Sequence, residues 1–160
     1  MFTADARTRA VKKTMMLENA QQIISIYNVP FQHYAKESFD VNSTKKLSEI
    51  INLIKQSTTF IQDVKILRQE EILGQKVVVN IDNTSGQESS LNAFNPINYI
   101  FTATTEQKSY IQKVIDGTTS EPMYYSNGSR YWLMVPVKTS GKTLILYISD
   151  YQFYGKLGSY

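Results

Sequence analysis

The chain has 160 residues, of which 42% are hydrophobic and 19% charged, a composition that fits one globular domain with a full-sized core rather than a disordered or fibrous chain. Its formal net charge of +3 comes without a dense lysine and arginine cluster, so no nucleic-acid-binding surface is expected. Because there is no cysteine and His33 is the only histidine, disulfides, zinc–thiolate centres, cysteine nucleophiles and histidine metal sites are excluded, and neither a metal nor a cofactor is predicted.

Two helices are predicted in the first part of the chain. The longer one covers residues 5–28, where apolar side chains recur at helical spacing, and Pro30 marks its end. A short irregular or helical connector at 31–42 leads to the second helix at 43–57. The second helix carries one apolar stripe, which consists of Leu47, Ile50, Ile51 and Ile54.

An antiparallel sheet of about five strands is predicted over residues 59–151. The first two strands form a hairpin in which Gly74 takes a positive φ, and the last three follow one another through tight turns after residue 121. Strands joined by tight turns pair antiparallel. With both helices packed on one face, the chain is predicted to be a single α+β domain over residues 1–160.

An excursion of the chain at residues 83–117 interrupts the sheet. It begins with a polar, turn-rich loop and ends with a short helix. Thr104 and Gln107 have the spacing of a capping box at the start of this helix, and Gly117 suits the left-handed position that ends it. The helix is therefore expected between these residues.

The C-terminal part of the chain carries a pattern of its own. An aromatic strand at 131–136 ends in a proline, a turn contains Gly141, an apolar strand at 144–148 leads to Asp150, and the following segment contains Leu157. With the order of the preceding elements, this pattern resembles the extracytoplasmic PAS-like sensor domains called Cache or PDC domains. The resemblance covers most of the chain as an order of elements, and roughly its last thirty residues as a motif.

The resemblance implies a PAS-like fold, with the long helix and the second helix behind a five-stranded antiparallel sheet and a ligand pocket on its other face. Domains of this kind are input modules of bacterial or archaeal membrane receptors: chemoreceptors, histidine kinases and cyclic-dinucleotide enzymes. The chain is then expected to be an extracytoplasmic ligand-sensing domain that meets the membrane only through flanking segments absent from this sequence.

A candidate ligand site follows from the same resemblance. Some amino-acid-binding members of the family carry a tyrosine, then an arginine with aromatic residues, and a later aspartate; here Tyr125, Arg130, Trp132 and Asp150 are the counterparts. An arginine forks to a carboxylate, aromatic rings favour a cation, and an aspartate pairs with an ammonium group. The implied ligand is an amino acid, an amine or a carboxylate. Strand alternation adds Met134 to the face of Arg130 and Trp132.

A structural interpretation of these residues stays open beside the functional one. Trp132 and Met134 would then fill the core while Arg130 faces water, Tyr125 would pack against a neighbouring strand, and Asp150 would cap a helix in the segment after it.

The alternative function is a PAS-like interaction module that binds no small molecule and forms a homodimer through its N-terminal helix. Enzymatic activity is not predicted, because the sequence offers no nucleophile–base pair with a recognisable signature.

Overall fold

A computed structural model describes residues 2–36, 41–58, 61, 63–81, 100–127 and 130–149. Within these residues the chain forms four helices: α1 (Phe2–Ile26), α2 (Asn28–Lys36), α3 (Val41–Ser57) and α4 (Thr105–Ile115). It also forms five strands: β1 (Asp63–Ile72), β2 (Gln75–Asn80), β3 (Met123–Asn127), β4 (Arg130–Val137) and β5 (Leu144–Ser149).

The five strands form one antiparallel sheet in the order β2-β1-β5-β4-β3. The strand that is last in sequence, β5, lies between β1 and β4, so both of its edges are paired. The prediction of an α+β domain built on a five-stranded antiparallel sheet is confirmed, and the arrangement is consistent with a PAS-like fold.

The helices α1, α2 and α3 cover the first face of the sheet, as predicted. Their buried side chains in this core are Met16, Ala20, Ile23, Phe31, Tyr34, Ala35, Leu47, Ile51 and Ile54. The strands contribute Val64, Ile66, Val79, Leu133, Val135, Val137, Leu144, Leu146 and Ile148. Burial of this much apolar surface, at about 25 cal/mol per Å², is the main stabilising contribution to the fold.

The helix α4 covers part of the second face. Its side chains Tyr110, Ile111 and Val114 pack against Leu67, Met134 and Ile145 of three neighbouring strands. The Tyr110 hydroxyl is within hydrogen-bonding distance of the carbonyl oxygens of Glu121, at 2.6 Å, and of Met134, at 3.3 Å. The helix is thereby fixed both to the sheet and to the segment that leads into β3.

Both ends of α4 form as the sequence predicts. The hydroxyl of Thr104 accepts a hydrogen bond from the backbone N–H of Gln107 at 3.1 Å, and the Gln107 side chain accepts one from the Thr104 N–H at 3.0 Å. Gly117 has a φ of 77°, in the left-handed region. The capping box and the terminating glycine are confirmed.

The connector after the long helix is more regular than a proline suggests. Between α1 and α2 only Tyr27 departs from helical conformation, and the backbone N–H of Phe31 donates to the Tyr27 carbonyl at 3.0 Å. Pro30 lies in the first turn of α2, where a missing N–H group and a fixed φ cost little. The helical alternative for the connector is correct as far as Lys36.

The turn of the first hairpin is short, because β1 continues to Ile72 and β2 begins at Gln75. Only Leu73 and Gly74 separate the two strands, with φ values of 52° and 77°. Positive φ at both central residues is the geometry that matches the twist of a two-residue hairpin. The prediction for Gly74 is confirmed; Leu73, a residue that disfavours this region, occupies the other position and is 92% exposed.

A charged network ties β1 to the helical layer. Arg68 is only 4% exposed; its guanidinium pairs with Glu70 and donates to the backbone carbonyl of Tyr34 in α2 at 2.9 Å. The carboxylate of Glu70 also pairs with Lys142, which lies in the turn that joins β4 to β5. One buried arginine therefore links the sheet, α2 and this turn.

The same turn is docked directly on α2. The Gln32 amide donates to the Lys138 carbonyl at 2.7 Å and accepts from the backbone N–H of Ser140 at 3.2 Å. Gly141 approaches so closely that a Cβ atom there would lie 2.8 Å from the carbonyl oxygen of Ala35. The glycine is needed for this contact, since no side chain fits between turn and helix.

The polar loop predicted at 83–96 and the segment from Asp150 onward, with its expected helix, lie outside the described residues.

Candidate functional site

Four aromatic side chains form a continuous row across the second face of the sheet. Tyr125 of β3 and Trp132 of β4 are direct cross-strand neighbours, stacked with ring centroids 5.0 Å apart. Trp132 contacts Tyr147 of β5 edge to face at 6.0 Å, and Tyr147 contacts Phe101 in the same manner at 5.4 Å. These four residues, the aromatic row, are partly exposed and offer a surface on which an apolar or cationic group can pack.

Only some of the predicted site residues lie on this surface. Trp132 is in the aromatic row with its stacked partner Tyr125, and Arg130, two residues earlier on β4, is exposed on the same face by strand alternation. Met134 also belongs to this face, but it is fully buried and packs in the α4 core. Asp150 lies outside the described residues. The structure therefore places Tyr125, Arg130 and Trp132 on one face of the sheet. Met134 is buried in the core, as the structural interpretation predicts.

A small charged cluster lies beside the aromatic row. Asp63 begins β1 and contacts Lys65 at 2.5 Å and Lys55 of α3 at 3.5 Å, and it accepts a hydrogen bond from the Ser149 hydroxyl at 3.2 Å. Lys65 is the cross-strand partner of Tyr147, which places the cluster next to the row.

The protonation of Asp63 follows from these contacts. Burial acts to raise the pKa of its carboxyl group, but the hydrogen bond and charge of Lys65, the charge of Lys55 and the Ser149 hydroxyl outweigh burial, so the pKa lies below its usual value. The cluster therefore combines one carboxylate with two ammonium groups at neutral pH.

A groove of about 430 Å³ lies between β2 and α4. It is bounded by residues 76–78 of β2, by residues 100–103, and by the side of α4 that carries Lys108, Ile111 and Gln112. Residues 100–103 are held in place because the backbone N–H of Phe101 donates to a β2 carbonyl at 2.8 Å. We call this the β2–α4 groove; Phe101 is the residue that it shares with the aromatic row.

Sequence reasoning missed several residues of this region. The alternation of Asp63 and Lys65 with the apolar Val64 would have placed both on the second face. The position of Tyr147 beside Trp132 depends on the register of β4 against β5, and that of Phe101 on the fold of the excursion. Neither of these two arrangements can be derived from a local pattern.

Comparison of the chain with protein-family models, with curated proteins and with solved structures finds no match. No helix in the described part of the chain is both long enough and apolar enough to cross a membrane. The described residues also contain no group of three or more His, Asp or Glu side chains placed to hold a metal ion. A proposal about function therefore rests on the fold, the aromatic row and the charges around it.

Proposed function

We propose that this chain is a ligand-sensing input domain, the extracytoplasmic part of a transmembrane signal-transduction receptor such as a chemoreceptor, a histidine kinase or a cyclic-dinucleotide enzyme. Its ligand is a small polar molecule of the amino acid, amine or carboxylate class. The observation that carries the proposal is the stacked pair of Tyr125 and Trp132 with Arg130 exposed on the same face of the sheet.

The chemistry of this surface suits such a ligand. The planar guanidinium of Arg130 can donate two parallel hydrogen bonds to a carboxylate, and the rings of the aromatic row can pack on an apolar or cationic portion. In this proposal Asp150 pairs with an ammonium group of the ligand, the role that the family resemblance assigns to it. The adjacent Asp63 cluster already pairs its carboxylate with two lysines, so it contributes fixed charge rather than a vacant carboxylate.

A route from the ligand surface to the long helix supports a sensing role. Tyr131 follows Arg130 on β4 and faces the opposite side of the sheet. There the Lys12 ammonium of α1 donates to the Tyr131 hydroxyl at 3.2 Å and lies 5.2 Å from its ring centroid. A ligand that displaces β4 would thereby change a contact of α1, which is a means of shifting the population of two helix positions.

A thermal-shift panel of amino acids, amines, short carboxylates, sugars and nucleotides tests the proposal. A ligand at 100 times its dissociation constant stabilises the folded protein by roughly 2.7 kcal/mol, enough for a clear rise in melting temperature. We expect a hit among amino acids, amines or carboxylates.

The variants Arg130→Ala and Trp132→Ala should each abolish the shift caused by that hit. Lys138→Ala, which removes an exposed cation beyond the other end of β4, should leave it unchanged. A hit that survives both of the first two changes would show that the ligand binds elsewhere, and a silent panel with a cooperatively melting protein would contradict the sensing role.

One observation favours the alternative, a PAS-like interaction module that dimerises through its N-terminal helix. Val11 and Ile26 of α1 are 54% and 72% exposed, and they lie only about 60° apart around the helix axis. Light scattering over a range of protein concentrations separates the two functions. A dimer that Val11→Glu dissociates, with no ligand response, would favour the interaction module, whereas a monomer at every concentration would exclude it.

A further inference from the structure

We propose that the β2–α4 groove is a separate binding site for an amphipathic carboxylate, a molecule with one anionic headgroup and a short apolar tail. The inference concerns a surface that contains none of the four predicted site residues that the structure describes, and it holds whether or not the domain senses a ligand at the aromatic row.

The floor of the groove is apolar and large enough for such a tail. Val78 of β2, Ile111 of α4, Ile100 and Phe101 are among its apolar lining residues, and Val78 packs against the buried cluster that contains Ile111. Its volume of about 430 Å³ is within the range of roughly 300–1,000 Å³ that is usual for small-molecule sites. Ile100 is a 43% exposed apolar side chain, so a bound tail would cover surface that now meets water.

Among the residues that the structure describes, the charged side chains that line the groove are both cationic. They are Lys76 of β2 and Lys108 of α4, and no described aspartate or glutamate lines it. Neither ammonium group forms an ion pair with any residue that the structure describes. Glu71 is the cross-strand partner of Lys76, but it lies outside the groove and beyond ion-pair distance. An anionic headgroup would therefore meet two ammonium groups without displacing an existing partner.

Two amide side chains add neutral polar groups to this border. Gln69 of β1 donates to Gln112 of α4 at 3.4 Å, a long bond that joins the sheet to the helix across the groove. The Gln112 amide also donates to the Asp116 carboxylate at 2.8 Å, so each of the two amide nitrogens retains one N–H group for a further acceptor. Cationic and neutral donors with an apolar floor favour a carboxylate over an amine or an uncharged chain of the same length.

Octanoate is a suitable probe, with octanamide and octylamine as neutral and cationic molecules of the same length. For a ligand of about ten heavy atoms we expect a dissociation constant of about 1 mM or lower for octanoate, with octanamide and octylamine at least about tenfold weaker. Amide chemical shifts in ¹⁵N-labelled protein should change at residues 76–78, 100–103 and 108–112 and saturate with octanoate. Equal binding of octanamide, or an absence of saturable changes up to about ten times that concentration, would overturn the proposal.

The double variant Lys76→Gln with Lys108→Gln removes both cations from exposed positions, so the fold should persist. It should weaken octanoate binding by about tenfold and abolish its preference over octanamide. Lys113→Gln, on the same helix but outside the groove, is the matched control and should leave binding unchanged. If the double variant binds octanoate as tightly as the unaltered protein, the groove is not the site.

Arg130, which lies on the same face as the aromatic row, must be tested in the same titration, because its guanidinium could also attract a carboxylate. Arg130→Ala should leave octanoate binding unchanged if the probe occupies the β2–α4 groove. Loss of binding in Arg130→Ala with retention in the double lysine variant would assign octanoate to the aromatic row. That result would support the proposed sensing site and refute the second site, so failures of the two proposals are distinguishable.

Discussion

The two faces of the sheet are made by the same strands, yet they differ in how far they are covered. On the last two strands, the first face carries the partly buried Tyr131 and six buried aliphatic side chains, which are Leu133, Val135, Val137, Leu144, Leu146 and Ile148. The alternate side chains on these strands include Arg130, Trp132, Tyr147 and Ser149, which are polar or aromatic and partly exposed. On the second face only the part under α4 is buried, at Met134 and Ile145, so alternation together with the limited reach of α4 leaves the other side chains of that face available for recognition.

The largest effect should come from the centre of the first face. Leu146 is fully buried between β1 and β4, so Leu146→Ala should lower the free energy of unfolding by roughly 3–5 kcal/mol. Trp132→Phe on the second face should cost only about 1 kcal/mol, because that ring is already partly exposed. Urea denaturation of both variants measures the contrast, and equal losses would refute the division of roles between the faces.

The next effect should come from the charged network on the first face. Glu70→Gln removes the negative charge beside Arg68, whose side chain is only 3% exposed, and leaves a buried cation without its compensating carboxylate. We expect a loss of about 3 kcal/mol in the free energy of unfolding. Glu71→Gln, one position along and exposed, is the control and should change stability by less than about 0.5 kcal/mol. Similar values for the two variants would show that the network contributes little.

The core under α4 should lose part of its contribution to the free energy of unfolding at high pH. Burial, with the charge of Glu121, raises the pKa of the Tyr110 hydroxyl to about 12, although a backbone hydrogen bond from Met123 opposes the shift. The folded protein therefore retains this proton more tightly than the unfolded chain. The corresponding stability is fully present below about pH 10 and is lost as the pH rises through 12, by an amount on the order of 2 kcal/mol.

Denaturation curves at pH 9 and pH 11.5 measure this loss. In Tyr110→Phe the stability should be lower at pH 9, because the bonds to Glu121 and Met134 are absent, but it should fall less steeply with pH. Identical slopes for variant and parent would mean that other groups cause the alkaline loss.

The smallest effect should be local to the turn between β4 and β5. In Gly141→Ala the new methyl group would meet the Ala35 carbonyl at 2.8 Å, so turn and α2 must move apart. We expect a loss of about 1 kcal/mol and faster amide exchange at Ser140 and Lys142, whose N–H groups bond to α2. Ser140→Ala keeps the backbone bond and should have neither effect; the same exchange rates in both variants would contradict a tight contact.

Local patterns predicted the elements well for physical reasons that particular residues illustrate. The stripe of Leu47, Ile51 and Ile54 is buried because a helix brings such spacings to one side. The capping box of Thr104 and Gln107 forms because both partners lie within one turn of helix. These signals need only neighbours in sequence.

The parts that could not be predicted depend on contacts between distant segments. Tyr147 reaches Trp132 through the register of two strands, and Met134 is buried because Tyr110 and its helix fold over it. The long helix ends at Ile26, close to the predicted bound, but Pro30 does not show whether the connector is irregular or helical, since a proline is also compatible with the first turn of a new helix. The candidate site was therefore predicted as a set of residue types on one strand face, without its full set of neighbours.

The central position of β5 has a consequence for how the chain folds. The two outer hairpins, β1 with β2 and β3 with β4, are each local in sequence and can form early. The pair β4 with β5 is also local, so these pieces become one sheet only when β5 pairs with β1. That pairing includes a hydrogen bond from Ser149 to Asp63 across 86 residues. Such non-local pairing slows folding because the entropy of closing a long loop is lost before the contacts compensate for it. Until β5 pairs with β1, each of these two strands exposes an unpaired apolar edge, and in this interval the chain is most prone to associate with other copies of itself.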